Sequence, residues 1–100
     1  MEDGHRWKDK FTDQLCKAIL FLKDEKECNN FLEDLATINE IKELSQRLEV
    51  ARMLDDGLTY DEIAEKTGAS SATISRVKKC LNYGADGYKT ILKRMFKKKK

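Results

Sequence analysis

Between Ser70 and Lys79 the chain carries a run of side chains suited to holding a polyanion: Ser70, Ser71, Ala72, Thr73, Ser75, Arg76, Lys78 and Lys79. The first four are short. At the start of a helix they let the backbone sit deep in a groove near base edges, and the first-turn N–H groups favour a phosphate. Arg76 offers a planar fork of donors that can grip guanine or clamp a phosphate, and both roles stay open. Lys78 and Lys79 suit backbone phosphates, which would give salt-dependent affinity rather than base selectivity. Taken singly, each residue also has a plain structural account: Ser70 and Ser71 cap a helix, and the lysines make a wet face. Taken together they point to double-stranded DNA.

Charge supports this. Residues 1–70 hold 10 Lys/Arg against 17 Asp/Glu, whereas residues 71–100 hold 10 Lys/Arg against Asp86 alone. The net charge of +2 therefore hides a −7 part and a +9 part, and Lys97 to Lys100 supply +4 of the latter. A basic segment that begins where the proposed contact helix begins suits a polyanionic partner on one side. Other chemistry lacks its parts. Cys16, Cys28 and Cys80 are widely spaced with no CxxC, and His5 is the only histidine, so no metal site is expected. Free thiols fit a reducing cytoplasm. No acid–base pair, nucleophile beside a histidine or phosphate loop is present, so neither enzyme activity nor a cofactor is expected. The longest apolar run, Ala18 to Leu22, is too short for a membrane span.

The elements that must position these residues read as helices. The chain has no proline, and its length suits one domain. Thr59 followed by Glu62 is a capping box, starting a helix from about Tyr60 to Thr67. Gly68 breaks it, and a second helix spans about Ser71 to Leu81. That is a helix-turn-helix, whose second helix enters the major groove. Ala64 is the small residue for the crossing, and Ile63, Ala69, Ile74 and Val77 fill the core between the two helices.

Upstream, Phe11, Leu15, Ile19 and Leu22 mark a helix over about 8–23, and Trp7 is expected to pack at its start, an exposed anchor against a neighbour being the other arrangement. The run Ala18–Leu22 covers every direction around that helix. It suits a helix buried on two sides, by its own subunit and by a second one; a central helix of a monomer is the other arrangement. Asp24 and Glu27 start a second helix to about Ala36, with Phe31, Leu32 and Leu35 inward. Thr37 and Glu40 start a third over about 40–56, striped by Ile41, Leu44, Leu48, Ala51 and Met53 or Leu54, and ended by Gly57. A last helix is expected over 86–96 with Tyr88, Ile91, Leu92 and Met95 on one face. The expected architecture is all-α, about six helices in one domain over 1–100. A dimerisation core spans about 8–57, the reading head about 59–83, and a C-terminal helix with basic tail 85–100.

Thr37 to Gly84, with the phrases QRLEVARML and TGASSATISRVKKCLNYG, resembles the Trp repressor superfamily, and within it the YerC/YecD-like branch. The likeness covers about Lys8 to Met95. It implies an intertwined homodimer acting as a bacterial, cytoplasmic transcription regulator on the nucleoid. It also implies a small-molecule pocket, in which Thr37, Arg47 and Arg76 match the threonine and two arginines that hold tryptophan. Val77 stands where the family's glycine leaves room for that ligand, and Cys80 where it has a serine. A branched side chain and a weaker hydrogen-bonding group predict a vestigial pocket that does not take tryptophan, with Arg47 paired to an acid or a phosphate. Whether another effector binds is left open. The competing expectation is a protein-interaction adaptor of the transcription machinery, since a fold alone does not set function. Recovery of a partner that survives nuclease treatment distinguishes it.

Overall fold

Side-chain oxygens set where most helices of this chain begin. The structure is a computed structural model describing residues 5–96. Among these residues all regular structure is helical: α1 Lys10–Leu20, α2 Glu25–Leu35, α3 Ile38–Asp55, α4 Tyr60–Thr67, α5 Ser71–Tyr83 and α6 Gly87–Phe96. The chain forms two compact units, Met1–Ile38 and Asn39–Lys100. The expected basic tail, 97–100, lies outside the described residues, as do residues 1–4.

In the N-terminal unit Asp9 caps α1 by accepting the Thr12 N–H at 2.9 Å, and the Thr12 hydroxyl accepts the Asp9 N–H at 2.7 Å. This cap starts α1 two residues later than apolar spacing suggests. The helix also ends early, because the Phe21 and Leu22 N–H groups bond three residues back, to Ala18 and Ile19. Asp24 caps α2 by accepting the Glu27 N–H, but the Glu27 carboxylate takes the N–H of Lys23 rather than that of Asp24. Trp7, expected to pack, is exposed and stacks on His5 with ring centroids 5.1 Å apart. Neither α1 nor α2 buries a single residue. Phe11 is 78% exposed, Leu20 83% and Phe21 80%. Of the inward residues expected on α2, Phe31 and Leu32 are half-buried, whereas Leu35 is exposed.

The core belongs to the C-terminal unit. It joins Val50, Ala51 and Met53 of α3, Ile63 of α4, Ala69 of the turn, Ile74, Val77 and Leu81 of α5, and Leu92 of α6. The buried part of α3 is its second half. Leu44, expected on the inner stripe, is exposed, while Val50, absent from that stripe, is fully buried. Apolar residues occur around much of α3, so spacing alone misplaces its inner face. On α6 Leu92 is buried and Tyr88 half-buried, but Met95 is exposed. Gly84 is the C-cap of α5, its N–H donating to the Cys80 carbonyl, and the position suits glycine because a Cβ there would lie 2.3 Å from that carbonyl oxygen. No helix among the described residues is long and apolar enough to cross a membrane.

Candidate nucleic-acid interface

The pair α4 and α5 is built from its turn outward. Thr59 caps α4: its hydroxyl accepts the Glu62 N–H at 3.2 Å, and Glu62 in return accepts the Thr59 N–H at 2.8 Å. These bonds hold the Glu62 carboxyl below its ordinary range, the Thr59 backbone N–H being the largest cause. Gly68 closes α4 at φ +77°, a left-handed conformation that costs a side chain strain. The Thr67 hydroxyl donates to the Ile63 carbonyl at 2.7 Å and accepts the Ala69 N–H at 3.1 Å. Gln46 of α3 donates to the Thr67 carbonyl at 3.1 Å, tying the turn to the core helix. Inside the pair Ile63, Ala69, Ile74 and Val77 are buried, with Ala64 half-buried against them. With both helices closed around this small core, α5 keeps one face in and one face out.

On the outer face Ser71, Ala72, Ser75, Arg76, Lys78 and Lys79 are all exposed. Ser70 is the N-cap of α5, accepting the Thr73 N–H at 3.1 Å. Thr73 stands apart from the set. It is half-buried, its hydroxyl accepts from Ser70 Oγ at 3.1 Å, and it lines a pocket behind the helix. Among the described residues Arg76, Lys78 and Lys79 have no carboxylate partner; the basic side chains that do pair lie elsewhere, Lys8 with Asp13 and Arg52 with Glu49 and Asp56. Tyr60, the first residue of α4, is a neighbour that the sequence does not reveal. Its ring lies 5.7 Å beneath Lys78 Nζ, and its hydroxyl oxygen accepts from Ser75 Oγ at 3.5 Å.

The pocket behind α5 measures about 210 Å³ and is lined by Arg47, Thr73, Arg76, Val77, Cys80 and Tyr88. Val77 is only 2% exposed and serves both the core and the pocket wall. The partner expected for Arg47 is an acid or a phosphate; of the α3 carboxylates, Glu49 is engaged by Arg52 instead. Tyr88 is a wall that the motif did not disclose, since it arrives from α6. Burial pushes its phenol above the ordinary range and the nearby Cys80 adds to this, while Arg47 and Arg76 pull it back. Thr37 belongs to the other unit, so its membership of this pocket rests on the resemblance alone. Beside the pocket, Leu48, Gly84, Ala85, Gly87, Tyr88 and Ile91 form a shallower apolar groove that shares Cys80 and Tyr88.

The family model described as Trp repressor protein matches residues 10–96. The chain belongs to the Trp repressor family. The uncharacterised protein YerC of Bacillus subtilis strain 168 is 62% identical over 86 residues, covering 86% of this chain and 83% of that protein. Two solved structures share the family fold. A TrpR-like protein from Eubacterium eligens is 55% identical with a TM-score of 0.88, over 95% of this chain and 98% of that one. A candidate Trp repressor from Staphylococcus aureus is 45% identical with a TM-score of 0.89, over the whole of both chains. The all-α Trp-repressor-like fold and the family expected from sequence are therefore those of this chain.

Proposed function

We propose that this Trp repressor family member is a homodimeric, sequence-specific DNA-binding regulator of transcription in the bacterial cytoplasm. One observation carries the reading. Helix α5 keeps Ile74, Val77 and Leu81 inside and turns Ser71, Ala72, Ser75, Arg76, Lys78 and Lys79 outward, its cations uncompensated by acids among the described residues. Such a face suits the major groove: the short residues approach the bases, Arg76 reads or clamps, and the lysines neutralise phosphates. One reading head covers few base pairs, so two are used, and the apolar surface of α1 supplies the face for a second, intertwined chain. The pocket of Arg47, Arg76, Val77 and Cys80 is a family feature retained without tryptophan as corepressor. Val77 fills space with a branched side chain that the core itself requires.

Selection of bound duplexes from random DNA tests this. The expected product is a palindrome whose half-sites lie about one helical turn apart. Failure to retain any genomic duplex at low salt would refute the reading.

A further inference from the structure

We infer that Tyr60 is a positioning residue of the DNA interface, holding Lys78 and Ser75 of α5 from the first turn of α4; this rests on the DNA-binding reading above. Three observations meet at this side chain. The Lys78 ammonium lies over its ring, 5.7 Å from the centroid. Its hydroxyl oxygen accepts from Ser75 Oγ at 3.5 Å, so its own O–H is left to donate outward. The ring is half-buried and packs against the core cluster, so it is anchored from behind.

The consequence follows from side-chain entropy. A lysine has a flexible four-carbon stem and loses much freedom when it settles on a phosphate. A ring beneath the ammonium removes part of that freedom before DNA arrives, because the electron-rich face attracts the cation. The Ser75 contact does the same for a hydroxyl on the outward face of α5. A core-anchored tyrosine on α4 thus preorganises two groups on α5, and it fixes them relative to the other helix of the motif. The long Ser75 contact is the weaker of the two, so the ring carries most of the effect.

The test is a double-mutant cycle on the full-length protein and its selected duplex, with dissociation constants measured across salt concentrations. Tyr60→Leu keeps apolar bulk against the core, and thermal melting identifies any variant that fails to fold. Tyr60→Leu is expected to weaken binding about two- to fivefold in the wild-type background. In a Lys78→Gln background it should change binding by less than about half that factor, because the group it positions is gone. Tyr60→Phe keeps the ring and should stay within about twofold of wild type. Equal losses from Tyr60→Leu in both backgrounds overturn the inference, as does no loss in either. A Tyr60→Phe protein as weak as Tyr60→Leu assigns the effect to the hydroxyl and overturns the role of the ring. In each of these outcomes wild-type binding persists, and the DNA-binding reading survives. Absence of wild-type binding overturns both.

Discussion

Arg52 of α3 lies over the ring of Phe96 of α6, 5.3 Å from its centroid, and donates to both carboxylate oxygens of Glu49 at 3.0 and 2.5 Å. One guanidinium therefore joins the central helix of the C-terminal unit to the last helix. The arrangement gives that unit a titratable seam. Arg52 holds the Glu49 carboxyl below its ordinary value of 4.5, its hydrogen bond being the largest cause and burial opposing it. A carboxyl with a depressed folded-state value contributes stability above about pH 4.5 and loses it as pH falls through that lower value. Chemical denaturation followed from pH 6 downward should show Glu49→Gln losing less stability on acidification than wild type. Parallel curves for the two proteins would contradict the seam.

Gly68 provides a cleaner backbone test. A Cβ there meets nothing within 4 Å, so Gly68→Ala adds only the strain of φ +77°. The expected cost is about 1 kcal/mol, with Gly68→Asn milder. Equilibrium unfolding in urea measures both; an alanine variant as stable as wild type would show that the turn relaxes freely.

Arg76→Ala should weaken specific binding by roughly 1–3 kcal/mol if the guanidinium reads a base. If it only clamps phosphate, the loss should be similar on specific and unrelated duplexes, with a shallower salt dependence. Affinities on both duplex types at several salt concentrations separate the roles.

Tryptophan should give no saturable heat in calorimetry with the wild-type protein. Val77→Ala should cost about 1–3 kcal/mol of stability, because the side chain is buried in the core as well as facing the pocket. Micromolar binding of L-tryptophan at one site per subunit would contradict the proposed loss of the corepressor.

The exposed apolar side chains of α1 predict that the melting temperature rises with protein concentration. Leu20→Asp or Phe21→Asp should abolish that dependence and leave a slower-associating or monomeric species in sedimentation. A wild-type protein that stays monomeric at every concentration would remove the second chain from the picture.

What the sequence discloses and what it hides divide along one physical line. Asp24, Thr59, Ser70 and Gly68 are legible because each meets a backbone requirement within a few residues of itself. Ile63, Ala69, Ile74 and Val77 are legible because a turn of known shape fixes which side is inside. Tyr60 and Tyr88 are not, since each acts on residues of another helix, and no local pattern relates Tyr60 to Lys78 or α6 to Arg47. Val50 is hidden for a different reason: α3 has apolar residues in several directions, and only its neighbours decide which are covered. The N-terminal helix shows the reverse, an apolar excess that is plain in the sequence while its cover is not.

If a second chain covers the apolar surface of α1, copy number becomes an input. No residue of α1 or α2 is fully buried. If a second chain must complete the first, assembled regulator scales as the square of chain abundance while chains are scarce. A cell that halves its supply then loses about three quarters of its working copies. Gene dosage and the rate of synthesis would set the regulator's reach as firmly as any bound metabolite.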